Sequence, residues 1–276
     1  MINKCLFPAA GYGTRFLPAT KAIPKEMLPV LTKPLLQYAV EEALSANIQT
    51  MAIVTGRGKR AIEDHFDHSF ELESQLAGTN KESYLENINA IINKATFTYV
   101  RQQKMLGLGD AILTGEPLIG DETFAVILAD DLCDNNENSV LSQMVELYNK
   151  YKCPIIGIEE VPIEETHKYG IVEGSPINNN EDLLEITNMI EKPKFGTSSS
   201  NLAIIGRYIL TPQIFRILKG MRSINSNEIQ ITDAIFKQAK NERVLAYKFK
   251  GKRFDCGGIK GFIEATNYFA KQKNII

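Results

Sequence analysis

INKCLFPAAGYGTRFLPATKAIPKEMLPV, Ile2 to Val30, is the stretch whose reading decides the fold. Ile2 to Pro8 reads as a buried strand. Ala9-Ala10-Gly11-Tyr12-Gly13-Thr14-Arg15 reads as a glycine loop, and the run beyond it carries Lys21, Lys25 and Glu26. A strand that breaks into a glycine turn exposes backbone N–H groups at the carboxyl edge of a sheet, where they can face phosphate oxygens without side chains in the way. Arg15 and Lys25 add fixed positive charge beside that cradle. The expectation is a nucleotide triphosphate site, with a metal and an acceptor to be sought in the rest of the chain.

The loop is not a P-loop, because it lacks the four-residue gap between glycines and the Gly-Lys-Ser/Thr ending. Phe16 stands where the dinucleotide fingerprint requires its third glycine, which removes most support for NAD. Spacing alone leaves a phosphate cradle and a tight turn equally open.

Working outward, Lys33-Pro34 starts a predicted helix with Leu35, Leu36, Ala39, Val40, Ala43 and Leu44 on one face. Thr50 to Thr55 is a second buried strand, followed by a short helix to Phe66. His68 to Lys94 turns polar but keeps Leu85, Ile88, Ile91 and Ile92 at helical spacing, so residues 68–95 read as a partly exposed helical excursion. Thr96 to Arg101 is a strand, and the turn Gly107-Leu108-Gly109-Asp110 opens a helix that Asp110 is placed to cap. Thr123 to Leu128 is the most hydrophobic run and reads as a central strand ending in Ala129-Asp130-Asp131. Ser139 to Tyr151 is an amphipathic helix.

The second half is richer in strands: Pro154 to Glu159, Gly170 to Glu173, Leu183 to Ile190, Leu202 to Leu210 and Val244 to Phe249, with 174–180 as a loop. Helices follow Thr211-Pro212, span Glu228 to Lys240, and close the chain beyond Gly257-Gly258. The alternation predicts an α/β fold, a Rossmann-like three-layer αβα sandwich with a mixed, mostly parallel central sheet and a small additional β region. No boundary or repeat interrupts residues 1–276, so one domain is expected.

The chain has 276 residues, 44% hydrophobic and 23% charged, ordinary for a soluble globular protein. At this length about three quarters of the unfolded surface can be buried, enough for a core without disulfides. A net charge of −2, with lysine, arginine and acids interspersed, leaves no footprint for nucleic acid. Cys5, Cys133, Cys153 and Cys256 lack metal-ligand spacing and read as reduced core thiols. No signal peptide or apolar run of about 20 residues is found, so no membrane is expected and the location is read as cytoplasmic. Exposed apolar positions on the excursion and the last helix predict a homo-oligomer.

Lys25-Glu26 lies between Pro24 and the apolar Met27-Leu28-Pro29-Val30, where a fixed loop is favoured over a charged helix face. Asp130-Asp131 reads equally as a helix-capping or loop pair, the commoner fate of adjacent acids; the strand-end position favours a hard cation, since Mg²⁺ takes one or two carboxylates plus substrate phosphates, and Asp255, before Gly257-Gly258, can supply a second. Glu191 and Lys192 end a strand, and alternation sends them to opposite sides unless the strand bends. On the residues alone they read as an exposed ion pair, and His65 and His68 read as surface histidines.

FPAAGYGTRFLPATKAIPKEMLPV (Phe7–Val30) closely resembles the opening signature of bacterial UTP–glucose-1-phosphate uridylyltransferases, within the sugar-nucleotidyltransferase superfamily. The resemblance continues in RQQKMLGLGDAI (Arg101–Ile112), LADD (Leu128–Asp131), KYGIVE (Lys168–Glu173), IEKP (Ile190–Pro193), NEIQITDAI (Asn227–Ile235) and RFDCG (Arg253–Gly257). Tyr12 departs from the small or aliphatic residues frequent at its position, and Gln103 and Met105 lie in a variable part of their motif.

The resemblance implies a reaction of UTP with α-D-glucose 1-phosphate giving UDP-glucose and pyrophosphate. Ala9, Ala10, Gly11 and Gly13 would line the nucleotide, and Gln102 and Gly107, helped by Glu26, would meet the uracil edge. Arg15 and Lys25 would hold the triphosphate, and Asp130 and Asp255 a Mg²⁺. Gly170 and Glu191 would contact glucose hydroxyls, Lys192 the sugar phosphate, and Asp131 a sugar or metal-water position. The acceptor phosphate, with a second pKa near ~6, needs no general base, which suits a site without a catalytic histidine. A thymidylyl- or cytidylyltransferase would share the phosphate and metal residues. A glycosyltransferase would leave the Arg15 and Lys25 loop unexplained, and a nucleotide-sugar sensor would bind UDP-glucose without releasing pyrophosphate.

Overall fold

The structure is a computed structural model that describes residues 2–134, 138–224 and 228–276, without the side chains of 223 and 224. Asn227, the first residue of NEIQITDAI, lies outside the described residues. The first half runs β1 (Lys4–Pro8), β2 (Pro29–Val30), β3 (Lys33–Pro34), α1 (Leu35–Ser45), β4 (Thr50–Thr55), α2 (Arg60–Phe66), α3 (Phe70–Leu76), α4 (Ser83–Lys94), β5 (Thr96–Arg101), α5 (Leu108–Thr114), α6 (Glu116–Ile119), β6 (Phe124–Ile127), β7 (Asp131–Asp134) and α7 (Val140–Tyr151). The second half runs β8 (Ile155–Glu160), β9 (Gly170–Ile177), β10 (Asn180–Glu191), β11 (Leu202–Leu210), α8 (Gln213–Ile224), α9 (Ile231–Ala239), β12 (Leu245–Lys248), β13 (Lys252–Asp255) and α10 (Ile259–Gln272).

Nine strands form one mixed sheet in the order β5-β4-β1-β6-β11-β8-β12-β10-β9. The neighbours β5-β4-β1-β6 are parallel, β12 is parallel to β8, and the remaining pairings are antiparallel. Strands buried on both faces read as continuous apolar runs, which is why TMAIVT and TFAVIL are legible as central strands. Successive residues still point to opposite layers. Cys5, Met51, Ile53, Ala125 and Ile127 enter one core with Leu36 and Val40 of α1 and Leu141 and Met144 of α7. Leu6, Ala52, Val54, Phe124 and Val126 enter the other with Ile112 of α5, Leu218 of α8 and Ile235 of α9. This is the expected three-layer αβα sandwich.

Three local readings change. Lys33-Pro34 pairs with Pro29-Val30 as a short hairpin, and the helix begins at Leu35. The expected loop over 174–180 continues β9 to Ile177 and turns at Asn178 and Asn179, both at positive φ, into β10. Its Gly-Ser-Pro-Ile composition reads as a loop, but the outer end of β9 is a sheet edge, where Pro176 leaves no inner ladder bond unmade. The small additional β region includes a two-stranded ribbon of β7 with β13, which pairs Asp131 with Asp255 and Leu132 with Phe254. Leu132 and Phe254 pack with Val30, Leu35 and the α10 residues Ala265 and Phe269 in a separate apolar cluster.

The excursion folds as α3 and α4, with Ile91 buried against the sheet and Phe70, Leu72 and Tyr84 exposed. Cys5, Cys153 and Cys256 are buried free thiols and Cys133 is a half-buried one. Among the described residues no helix is long and apolar enough to cross a membrane.

Candidate active site

Because β5, β4, β1 and β6 run parallel, the segments leaving their carboxyl ends collect on one edge of the sheet, where α/β folds bind ligands. Backbone bonds fix them there: Ala9 N–H donates to the Val54 carbonyl at 2.8 Å and Gln102 N–H to the Thr55 carbonyl at 2.9 Å. Ala9 and Ala10 are buried at the foot of the loop. Gly13 has φ +66, and a Cβ there would stand 2.8 Å from the Lys25 Cβ. Only glycine meets both demands. The Lys25 stem crosses the loop from Gly13 to Gly11, where a Cβ would stand 3.8 Å from its Cε.

That crossing delivers the Lys25 ammonium to Asp130 Oδ2 at 2.5 Å. Burial pulls the Lys25 ammonium down, but the charges of Asp130 and Glu26 outweigh it and hold it above the ordinary lysine value. Burial likewise pushes the Asp130 carboxyl up, and Lys25, with Arg15 behind it, brings it below the usual range. Beneath them Glu26, 2% exposed, pairs with Lys59 Nζ at 2.7 Å, and its Oε1 finds no hydrogen-bond partner among the described residues. Burial raises the Glu26 carboxyl despite Lys59 and Lys25.

Asp130 and Asp131 are adjacent but face different partners. Asp131 Oδ2 accepts from Gly206 N–H at 2.8 Å, and Oδ1 accepts from Arg253 Nε at 2.6 Å. Both its oxygens are occupied by the protein. The ribbon brings Asp255 alongside, with Oδ1 accepting from Gly257 N–H at 3.1 Å. A Cβ on Gly257 would lie 3.0 Å from Asp255 Oδ1, 3.1 Å from Asp130 Oδ2 and 3.3 Å from Arg15 Nη1. The two carboxylates therefore converge on one small space that glycine keeps clear, closed by Arg15 Nη1 donating to the Gly257 carbonyl at 3.2 Å. No cluster of three histidine, cysteine or acidic side chains able to hold a metal occurs among the described residues. Two oxygen donors beside a space kept free of side chains fit Mg²⁺, which completes its shell from phosphates and water.

Across the cavity, Thr232 Oγ1 donates to Glu191 Oε2 at 2.7 Å. Any side chain at Gly170 would meet both, with a Cβ 2.8 Å from Thr232 Oγ1 and 3.0 Å from Glu191 Oε2. Lys192 sits at φ +44, so the strand does bend, and Glu191 and Lys192 reach the same cavity with Nζ 3.6 Å from Glu191 Oε1. Arg15, Asp130, Asp131, Gly170, Glu191, Lys192 and Asp255 all line this space of about 330 Å³. Lys25 joins it through Asp130. Gln102 and Gly107 are not among the residues that line it; Leu108, which follows Gly107 in the chain, is, and Gln102 Nε2 reaches the Gly107 carbonyl at 3.4 Å. A larger hollow of about 870 Å³ lies between α2, α3 and α4 and holds none of the expected site residues. His65 faces that hollow, half-buried and bonded to Gln37 Oε1 at 3.1 Å, so it is less exposed than its sequence suggested.

Gly107, at φ +92, is the N-terminal boundary residue of α5, and no side chain caps that helix. Asp110 instead accepts from Gln102 Nε2 at 2.8 Å and is 1% exposed. The expected cap is thus a tertiary contact.

Sequence reasoning missed the supports. Arg207, 1% exposed, donates from Nε and Nη2 to Glu42, with Nη2 to Oε2 at 2.6 Å, and from Nη1 to the Asp131 carbonyl at 2.6 Å and the Leu128 carbonyl at 3.3 Å. Its signal was available: one charge inside the apolar strand LAIIGRYIL, since a fully buried arginine must be paired. Arg253 spans Asp131, Glu159 Oε2 at 3.2 Å and the face of Tyr169. Lys59 and Thr232 carried no signal.

A glycine loop crossed by a lysine, two converging carboxylates and a polar acceptor pocket on one sheet edge define a protein that handles nucleotides and phosphates. The chain belongs to the nucleotidyl transferase family, whose pattern matches residues 6–272. It is 63% identical over 269 residues to the UTP–glucose-1-phosphate uridylyltransferase of Pseudomonas aeruginosa, covering 97% of this chain and 96% of that one. A solved apo UDP-glucose pyrophosphorylase is similar at a TM-score of 0.94 and 60% identity, covering 99% of this chain and 100% of that one. Another, in complex with UDP-glucose, gives 0.89 and 57% over the same shares.

Proposed function

We propose that this chain joins UTP and α-D-glucose 1-phosphate into UDP-glucose and pyrophosphate, as one catalytic domain in the cytoplasm. The observation that carries the reading is the Lys25–Asp130 contact beneath the glycine loop, opposite Asp255 and beside the Glu191–Lys192 pocket. The names of the relatives supply the substrates.

Ala9, Ala10, Gly11 and Gly13 present backbone to the nucleotide, and Gln102, Gly107 and Glu26 sit toward the base. Asp130 and Asp255 would hold a Mg²⁺, which when bound supplies positive charge at the α-phosphate. Glu191 and Gly170 take the glucose hydroxyls, and Lys192 places the sugar phosphate oxygen in line with the α-phosphorus. That oxygen is ionised near neutral pH and attacks without a base. Arg15 and Lys25 stabilise the departing pyrophosphate with preorganised charge. Asp131, bonded on both oxygens, acts by holding the loop and the pocket wall. Exposed Phe70, Tyr84, Ile259 and Ile263 support a homo-oligomer.

The test is pyrophosphate release with glucose 1-phosphate across UTP, dTTP, CTP and ATP, with and without Mg²⁺. Mg²⁺-dependent release with UTP well ahead of the others is expected. Preference for another nucleotide reassigns the substrate, and UDP-glucose binding without any release refutes catalysis.

A further inference from the structure

We propose that Asp110 is a specificity-positioning residue: it fixes which end of the Gln102 amide faces the base, and so selects uracil over cytosine. This rests on the reading that Gln102 meets the base edge.

Gln102 is 4% exposed, and its Nε2 has two partners among the described residues, Asp110 Oδ2 at 2.8 Å and the Gly107 carbonyl at 3.4 Å. A carbonyl and an ionised carboxylate only accept hydrogen bonds, so both require the N–H₂ end of the amide. A flipped amide would set its oxygen against the Asp110 carboxylate in a buried place, leaving two acceptors unpaired. The orientation is therefore dictated by partner chemistry. Among the described residues both side-chain hydrogen bonds of Gln102 run through Nε2, and none is made by Oε1. The end left for a ligand is an acceptor.

Uracil presents an N3–H donor on its pairing edge, whereas cytosine presents a bare N3 acceptor. An acceptor from Gln102 matches the first and opposes the second, and a buried polar group left unpaired is the strongest basis for rejecting a close analogue. Asp110 is 1% exposed; Arg222 Nε of α8 lies 3.2 Å from its Oδ1 as a charge contact, and that oxygen has no hydrogen-bond partner among the described residues, so the carboxylate's one side-chain hydrogen bond there is the one from Gln102. Gly109 N–H, bonded to the Ile229 carbonyl at 2.9 Å, pins the start of the same helix.

Asp110→Asn tests this, because its Nδ2 can donate to Gln102 Oε1 and allow the amide to turn. The readout is the ratio of kcat/KM for UTP to that for CTP in one preparation, which loss of folded enzyme does not change. A fall in the ratio of about tenfold or more is expected, with Asp110→Glu keeping the UTP preference because it still only accepts. A proportional loss with both nucleotides would mean a structural role and overturn the proposal. If the asparagine variant does not fold, Asp110→Ser, whose hydroxyl can donate or accept, must lower the ratio in the same direction. Gln102→Ala separates the two claims. A collapsed ratio in Gln102→Ala with an unchanged one in Asp110→Asn refutes the role of Asp110 alone; an unchanged ratio in Gln102→Ala refutes the contact of Gln102 with the base.

Discussion

Replacing Arg207 by methionine removes a guanidinium that is 1% exposed and bonded to four oxygens: both of Glu42 and the carbonyls of Asp131 and Leu128. Among the described residues the Glu42 carboxylate would keep only the Leu141 N–H at 3.0 Å, with its side chain 8% exposed. Breaking one side of a buried ion pair costs about 3–5 kcal/mol, because the other charge stays buried without compensation. For a chain of this size each kcal/mol moves the thermal midpoint by about 2–4 °C, so a fall of about 6–20 °C is expected. Adding Glu42→Leu removes the orphaned charge and should restore most of that loss, since well-packed apolar replacements of buried pairs are close to neutral. The double variant still lacks the donor that holds the Asp131 and Leu128 carbonyls, the two ends of the turn carrying Asp130. Stability should therefore return while kcat stays low. Scanning calorimetry and steady-state pyrophosphate release on the two variants read this directly. An Arg207→Met midpoint within about 2 °C of the parent, or a double variant no more stable than the single one, would refute the reasoning.

Glu191→Ala should raise KM for glucose 1-phosphate more than KM for UTP, and equal changes in both would remove Glu191 from the sugar side. Gly257→Ala places a Cβ 3.0 Å from Asp255 Oδ1 and 3.1 Å from Asp130 Oδ2. It should demand more Mg²⁺ for half-maximal rate with little change in thermal midpoint, so an unaltered Mg²⁺ titration counts against the shared space. Lys25→Met should lower kcat by about 10²-fold or more, and near-normal turnover would end its assignment. The same variant has a pH signature. The lowered Asp130 carboxyl contributes stability above its ordinary value and loses it as pH falls through the lowered one; the raised Lys25 ammonium contributes below its ordinary value and loses it as pH rises through the raised one. With the ammonium gone, burial dominates at Asp130, so the acid limb of thermal stability should move to higher pH; a fixed acid limb argues against the pair.

What the sequence made legible was local. The opening strand and loop, the apolar strands TMAIVT and TFAVIL, and the acids after β6 all follow from runs of a few residues whose burial leaves a composition signature. The bend at Lys192 was readable only as a condition, and φ +44 meets it. Contacts between distant segments left no such mark. The pairing of Asp131 with Asp255, the Arg207–Glu42 pair at a separation of 165 residues, and Arg253 on Asp131 at 122 depend on how the sheet closes. Asp110 shows the limit most sharply: an acid in the first turn of a helix suggests a cap, yet Gln102 from the preceding strand end takes its carboxylate. Local propensity named the right helix and the wrong partner.

The adjacent acids Asp130 and Asp131 show how position decides chemistry where residue type cannot. Both are half-buried, and both feel desolvation as the largest upward pull on their carboxyls. For Asp130 the opposing charge is Lys25, a flexible ammonium lying across a glycine loop, and the result falls below the usual range. For Asp131 the opposing charge is Arg253, but Asp130 and Asp255 push the other way and the carboxyl ends above the usual range. Arg253 forks onto Asp131 from the paired ribbon strand and is itself held by Glu159 and Tyr169, an anchoring geometry that a guanidinium suits and an ammonium does not. Lys25 contacts one oxygen of Asp130, whereas both oxygens of Asp131 are taken, one by the Arg253 fork and one by the Gly206 N–H. One peptide bond separates the two roles because β7 begins there: Asp130 closes the turn from β6, and Asp131 is the first residue locked into the ribbon.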